Sequence, residues 1–162
     1  MSYYRKHFAI IELNEKGVLT ARHAWKLACS LQAELAISVV VDYTPGWEGG
    51  YAPFLTPRQM KSEIMKDIAK RLDAMLEDIG ITGVEQIIIE GPVPRSILEI
   101  AGSWGADLLV VGSNASYGLN QGASGIRALR MHGFSMDLLT LNTANVETGW
   151  RGRLVHALSG VF

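Results

Sequence analysis

The sequence predicts one α/β domain, a five-stranded, mostly parallel sheet with helices on both faces. Three observations lead to this fold class. The strand-like runs are apolar throughout, which is typical of strands buried on both faces. Amphipathic segments separate these runs, so that strands and helices alternate along the chain. The 162 residues are 48% hydrophobic, which is enough for one ordinary core.

The first part of the chain reads as strand, helix, strand. Residues 7–13 (HFAIIEL) form a short apolar run bounded by polar residues, which predicts a buried strand. Thr20 has the residue type of an N-cap, so we expect the first helix to follow it. A β-branched run at residues 34–43 (ELAISVVVDY) predicts the second strand. The apolar residues of the helix recur at helical spacing: Ala21, Ala24, Leu27, Ala28 and Leu31.

The second helix has well-marked boundaries. Thr56, Pro57 and Gln59 occupy the N-cap, N1 and N3 positions of a capping box. Gly80 is suited to end the helix at its other terminus. Residues 84–90 (VEQIIIE) then predict the third strand. The apolar stripe of this helix consists of Met60, Ile64, Ile68, Leu72, Met75 and Ile79.

The rest of the domain continues the alternation. Residues 92–105 predict a third helix, which ends at Gly105. The fourth strand is expected at 107–112 (DLLVVG), a weaker fourth helix at 123–132, and the fifth strand at 137–141 (DLLTL). The apolar face of the third helix consists of Ile97, Ile100, Ala101 and Trp104.

Composition excludes several classes of protein. The formal net charge is −1, so no broad basic surface indicates a nucleic-acid partner. Cys29 is the only cysteine, which excludes an intrachain disulfide and a CxxC zinc cluster, and we expect it to be buried. No window approaches the roughly 18 apolar residues of a membrane span, and no signal-peptide pattern begins the chain. The sequence therefore predicts a soluble, cytoplasmic protein.

Motifs for catalysis and metal binding are missing from the sequence. It contains no GxxxxGK[ST] segment, no GxGxxG after the first strand and no GxSxG elbow. The four histidines are scattered, without the HxxxH or HxH spacing of metal ligands. We therefore assign no catalytic residue and no metal ligand, and we favour binding over enzymatic activity.

A glycine-rich run, residues 111–126 (VGSNASYGLNQGASGI), follows the fourth strand. Glycines between a strand and a helix are typical of loops that bind phosphate. In a parallel sheet, ligands bind beyond the carboxyl ends of the strands, near the switch in strand order. We therefore expect the loops after Leu13, Tyr43, Glu90 and Val111 to share the candidate site.

Two segments resemble the universal stress protein family. Residues 33–43 (AELAISVVVDY) are similar to its second strand, and residues 87–113 (IIIEGPVPRSILEIAGSWGADLLVVGS) to its strand–turn–helix–strand segment. The resemblance extends from about His7 to Asn142. It implies a universal stress protein-like domain over residues 1–142, followed by a C-terminal amphipathic extension over residues 143–162.

The resemblance also implies a nucleotide site. In nucleotide-binding members, a G-x2-G-x9-G-[S/T] loop holds the phosphates of ATP, and an Asp and a Val after the first two strands frame the adenosine. The first and third glycines correspond to Gly112 and Gly125, and the valine to Val40. The family's cofactor-binding positions in this chain are Glu12, Val40, Val111, Gly112, Ser113, Asn114, Ala115, Gly125, Ile126 and Arg127.

Three of these positions depart from the family pattern. Ala115 replaces the second glycine, Ile126 replaces the Ser/Thr, and Glu12 replaces the Asp. An alanine at positive φ costs about 1 kcal/mol, and the lost hydroxyl contact with phosphate costs about 1.5–3 kcal/mol. Together these losses lower affinity by roughly a hundred- to a thousand-fold. We therefore expect no cofactor; the alternative is ATP with Mg²⁺, held by Arg127 in place of the hydroxyl.

A branch of the family, the A-type proteins, also lacks the glycine motif and forms homodimers. Residues 135–139 (SMDLL) resemble the segment that precedes and begins its last strand. The resemblance implies a homodimer through the fifth strand, Asp137 to Leu141. An unpaired edge strand with this apolar composition is otherwise an association hazard.

The extension, residues 143–162, has apolar residues on one stripe and basic residues among the rest. It either docks on a protein partner or membrane surface, or it covers an exposed edge of its own domain. Two functions follow for the whole chain. The first is a stress protein that acts by binding and dimerisation, with ATP binding weakened or lost. The alternative is an adenine-nucleotide sensor that uses the remnant Gly112-x2-Ala115-x9-Gly125 loop.

Overall fold

The computed structural model describes residues 3–41, 56–90, 95–113 and 135–143. Strands and helices alternate along these residues, which confirms the predicted α/β fold class. The expected fourth helix at 123–132 lies outside the described residues, as does all but the first residue of the extension. The elements are β1 (Lys6–Ile11), α1 (Glu15–Leu31), β2 (Glu34–Val41), α2 (Pro57–Asp78), β3 (Glu85–Glu90), α3 (Arg95–Trp104), β4 (Leu108–Gly112) and β5 (Asp137–Leu141).

The five strands form one sheet in the order β3-β2-β1-β4-β5. Every neighbouring pair is parallel, with Ala9 opposite Ile37 of β2 and opposite Val110 of β4. The chain builds outward from β1 to β3 and then returns to the other side of β1. This change of direction between β1 and β4 is the topological switch point of the sheet.

The helices divide between the two faces of the sheet. α1 and α2 cover one face, where Ala21, Ala24 and Ala28 pack on Ala9 and Val110. Small residues along α1 allow its backbone to lie close to the central strands. α3 covers the opposite face, and the largest side chains of that core are Phe8, Ile10, Ile89, Ile97 and Leu109.

The predicted boundaries of α2 and the predicted end of α3 are confirmed, whereas the predicted start of α3 at residue 92 lies outside the described residues. The Thr56 hydroxyl accepts from Gln59 N–H at 3.3 Å, and the Gln59 side chain accepts from Thr56 N–H at 2.9 Å. Pro57 is the first helical residue. Gly80 after α2 and Gly105 after α3 have φ values of +73° and +82°, a conformation that glycine adopts without strain.

The expected start of α1 is wrong. Asn14, not Thr20, is the N-cap: its side chain accepts from Gly17 N–H at 2.9 Å, and the helix begins at Glu15. Thr20 lies buried inside α1 and donates its hydroxyl hydrogen bond to Lys16 O at 3.0 Å. Asn14 is a favourable N-cap residue, and Glu15 is favourable in the first turn. The predicted helix start is too late because the first turn contains few apolar residues.

Cys29 was also placed wrongly from the sequence, because its side chain is exposed. The buried positions of α1 are Gly17, Thr20, Ala21, Ala24 and Ala28. Since Ala28 occupies the sheet-facing position, Cys29 is rotated away from the core. None of the helices in the described ranges is both long and apolar enough to cross a membrane.

Candidate functional site

The candidate site lies at the carboxyl edge of the sheet, at the switch point between β1 and β4. Ligands of doubly wound α/β proteins bind at this place because two neighbouring loops diverge there. Glu12 follows β1, and Ser113 follows β4. Ile10 pairs with Val111, so the ends of these two strands lie side by side. The expectation that the strand ends share one edge is therefore confirmed for the described residues.

Glu12 lies at the start of α1 and is held there by Asn14. The Asn14 amide donates to Glu12 Oε2 at 2.9 Å, while its oxygen caps the helix at Gly17 N–H. The amino end of a helix carries partial positive charge, which favours a carboxylate at this position. This local network fixes the one acidic side chain that the sequence placed at the site.

Gly17 brings the first turn of α1 against the exit of β1. A Cβ atom at this position would lie 1.6 Å from the carbonyl oxygen of Glu12. A separation that small is impossible, so a side chain cannot be accommodated without moving the helix. Sequence reasoning missed Gly17, although a glycine in the first helical turn is an unfavourable residue without a structural reason.

Gly112 ends β4 in a tightly packed position. A Cβ at this residue would lie 3.2 Å from Thr20 Oγ1 and 3.5 Å from Thr143 Oγ1. Both threonines are buried. The absence of a side chain at Gly112 therefore permits close packing between α1, β4 and the residue after β5. The two threonines were not recognised from the sequence as neighbours of this glycine.

Ser113 fastens the start of the following loop to β5. Its N–H donates to Leu141 O at 2.7 Å, and its hydroxyl accepts from Thr143 N–H at 3.1 Å. The first backbone donor after β4 is thus already bonded within the sheet. A phosphate-binding loop works by presenting such donors to its ligand.

Val40 and Val111 lie on the face of the sheet that α3 covers, and both belong to the same apolar cluster. The structure therefore places Val40, the expected adenosine-side valine, on the same face as Val111. Gly112 contacts α1 on the other face, through Thr20. Asn114, Ala115, Gly125, Ile126 and Arg127, which make up the rest of the predicted loop, lie outside the described residues.

Charge at this edge also comes from α2 and β3. Lys61, in the second turn of α2, forms an ion pair with Glu90 at the end of β3. This pair was not predicted, since its members are separated by most of α2 and all of β3. Within the described ranges, no group of three or more His, Cys, Asp or Glu residues could hold a metal ion.

Comparisons with known proteins agree with this architecture. The profile of the Universal stress protein family matches residues 9–128. Universal stress protein A homolog 2 from Coxiella burnetii is 25% identical over 118 residues, which cover 73% of this chain and 80% of that protein.

Solved structures show the same fold. A universal stress protein from Burkholderia pseudomallei has a TM-score of 0.63 at 18% identity, with 88% of this chain and 99% of that chain covered. A universal stress protein in complex with cAMP has a TM-score of 0.54 at 21% identity, with 87% and 98% covered. Because the family profile spans most of the sheet and its helices, the chain belongs to the universal stress protein family.

Proposed function

We propose that this universal stress protein acts by binding and dimerisation rather than by catalysis, and that its ATP binding is weakened or lost. The proposed dimer rests on the position and the exposure of β5. This strand is the edge of the described sheet, and Leu138, Leu139 and Leu141 are only half-buried there. A second copy would cover this apolar strand and pair its free backbone groups.

Weak ATP binding is supported by the start of the loop after β4. Ser113 N–H donates to Leu141 O, so this donor is committed to the sheet. The substitutions at Ala115 and Ile126 remove two further contributions to phosphate binding. The three effects act on the same ligand groups and point in the same direction.

The protein would then fall into the A-type branch of the family. Two features support this placement: the departures from the glycine motif, and the similarity to a relative that is named as an A homologue. The proposal includes a cytoplasmic location and a C-terminal extension, residues 143–162, that either covers a domain edge or binds a protein partner.

The alternative function is an adenine-nucleotide sensor, and one observation favours it. A protein of the same fold has been solved with cAMP. A cyclic nucleotide has a single phosphate, so it depends less on a complete phosphate loop than ATP does. Val40 would contact the base, and Arg127 would replace the missing hydroxyl at the phosphate.

Isothermal titration of nucleotide-free protein distinguishes the two functions. ATP with Mg²⁺ and cAMP should each be titrated, after co-purified nucleotide has been removed by dialysis and checked by mass spectrometry. We expect no ATP binding below roughly millimolar concentration, about a thousand-fold weaker than a micromolar site. Micromolar affinity for either ligand would support the sensor and contradict the proposal.

A matched gain-of-binding variant tests the reason for weak binding. The double substitution Ala115→Gly and Ile126→Ser restores the family pattern at both positions. It should tighten ATP binding by about a hundred- to a thousand-fold if these residues limit affinity. An unchanged affinity would show that the loop is not the limiting element.

A further inference from the structure

A cavity lies at the amino edge of the sheet, opposite the candidate nucleotide site. It has a volume of about 380 Å³, within the usual range of small-molecule sites. This cavity is lined by the end of α1, the start of β2, the segment 82–85 that leads into β3, and Trp104. The eight residues of β2 separate the two edges by about 26 Å, so the amino-edge cavity is a separate site.

Both charged residues that line the amino-edge cavity are acidic. Glu34 and Glu85 are its only charged lining residues among those described. α1 ends beside it at Leu31, with Gln32 as the C-cap, and has no basic residue in its last turn, so the helix end contributes partial negative charge. Because Glu34 pairs with Lys6, Glu85 and the carboxyl end of α1 are the groups that favour a positively charged ligand.

Two tryptophans supply aromatic walls. Trp25 belongs to α1 and Trp104 to the end of α3, so the indoles approach the cavity from opposite faces of the sheet. The Trp104 N–H donates to Glu85 Oε2 at 2.6 Å, which fixes the ring beside a carboxylate. Aromatic faces next to carboxylates are typical of sites that recognise organic cations.

Lys6 shows which kind of group these residues attract. Its ammonium lies 4.6 Å from the centroid of the Trp104 ring and 3.4 Å from Glu34 Oε2. The chain's own cation thus makes an aromatic and an ionic contact with two residues of the cavity. Glu85 forms no ion pair with another described residue, and its carboxylate retains further lone pairs for a ligand.

We propose that the amino-edge cavity binds a small organic cation of the alkylammonium or guanidinium class. The Trp25 indole contacts the apolar groups of the ligand, and the Glu85 carboxylate neutralises its charge. A metal ion fits less well, because the described residues include no group of three or more metal-ligating side chains. This site is independent of the nucleotide hypothesis.

Choline is a suitable probe, and its neutral carbon analogue 3,3-dimethyl-1-butanol is the matched control. Cys29 is exposed, lines the cavity and is the only cysteine of the chain, so its alkylation by iodoacetamide reports occupancy. At ten times its Kd, choline should slow alkylation about tenfold. The indole N–H resonance of Trp104 should shift with the same dependence on choline concentration.

Two variants test whether choline binds in the amino-edge cavity. Glu85→Gln keeps an acceptor for Trp104 N–H but removes the charge, and should weaken choline binding about fivefold, as expected for one exposed charge pair. Glu77→Gln makes the same change at an exposed residue of α2 that does not line the cavity, and should leave binding unchanged. Thermal unfolding of both variants checks that they are folded.

Several results would overturn the proposal. One is an absence of protection and of indole shifts at tens of millimolar choline, with ionic strength matched by sodium chloride. Equal protection by the neutral alcohol would show that charge has no part in binding. Protection by magnesium chloride would indicate a metal site. Wild-type affinity in Glu85→Gln would place any bound choline elsewhere.

Discussion

His7 is a buried imidazole in β1, on the face that α1 covers. Neither ring nitrogen has a hydrogen-bond partner of good geometry among the described residues, although the backbone of Tyr4 lies nearby. Burial lowers the pKa of His7, and the negative charge of Asp107 opposes this shift only in part. The folded protein therefore holds His7 neutral.

This burial predicts a loss of stability in acid. The unfolded chain binds the proton more readily, so the stability is fully present above the ordinary histidine pKa of about 6.5 and falls as the pH drops below it. The slope from this group is at most about 1.4 kcal/mol per pH unit. Urea unfolding at several pH values should show the slope, and His7→Leu should reduce it.

The control for His7 is His23, which is exposed on α1. His23→Gln should leave the pH dependence of the free energy of unfolding as it is in the wild type. An unchanged slope in His7→Leu would show that other groups cause the acid sensitivity.

Gly17 and Gly102 form a second residue-scale test, because both are helical glycines with opposite surroundings. A Cβ at Gly17 would overlap Glu12 O, whereas a Cβ at Gly102 would meet nothing within 4 Å. We predict that Gly17→Ala destabilises the protein by about 3 kcal/mol or more. Gly102→Ala should stabilise it by about 0.5–1 kcal/mol. Thermal and urea unfolding of both variants measures the difference, and equal effects would contradict the close contact.

At the scale of elements, β5 offers a test of dimerisation that leaves the sheet intact. Asp137 N–H donates to Asp107 O, and Leu141 O accepts from Ser113 N–H, so these two residues face β4. Since backbone groups alternate along a strand, those of Leu138 and Thr140 point away from β4. Leu138→Pro therefore removes a donor from the outer edge alone, where proline is tolerated.

We predict that Leu138→Pro is folded and monomeric, whereas the wild type is a dimer at micromolar concentration. Sedimentation velocity measures the assembly, and circular dichroism the fold. Leu139→Pro is the matched variant: it removes a donor directed at β4 and should destabilise the protein by about 3 kcal/mol. A dimeric Leu138→Pro would place the interface elsewhere, and a monomeric wild type would contradict dimerisation.

The sequence predicts some element boundaries better than others. A boundary is predictable when it depends on residues that are close together in the chain. The capping box at Thr56 and Gln59 uses contacts three residues apart, so the start of α2 was predicted correctly. β5 has the predicted bounds because an apolar run lies between polar residues. α1 was placed late, since its first turn is defined by Asn14 and by contact with β1 rather than by apolar spacing.

The sequence predicts that the candidate residues share one edge of the sheet, but it does not predict how they pack there. Parallel strands place Glu12 and Gly112 at one edge, as alternating apolar runs and helices imply. The roles of Thr20 and Thr143 depend on contacts between distant parts of the chain, which no local pattern reveals. The amino-edge cavity was missed for the same reason, because Trp25, Glu85 and Trp104 meet only in the folded protein.

At the scale of the whole molecule, Thr143, the first residue of the predicted extension, packs into the domain. This residue is buried, its N–H donates to Ser113 Oγ at 3.1 Å, and its side chain packs beside Gly112. We predict that a chain ending at Asn142 is less stable than one ending at Thr143 by about 1–3 kcal/mol, the cost of leaving buried partners unpaired. Urea unfolding of the two truncated proteins measures this difference, and equal stability would show that the contact contributes little.

The chain ending at Thr143, compared with the full-length protein, then tests the role of the extension. If residues 144–162 cover an edge of the domain or dimer, their removal exposes apolar surface, so stability should fall and aggregation should increase. If they instead dock on a partner, the shortened chain should unfold at the same urea concentration and sediment as the full-length protein does. We predict the first result, because an amphipathic segment tethered to the end of β5 reaches its own domain at high effective concentration. Unchanged stability and assembly would favour docking on a partner.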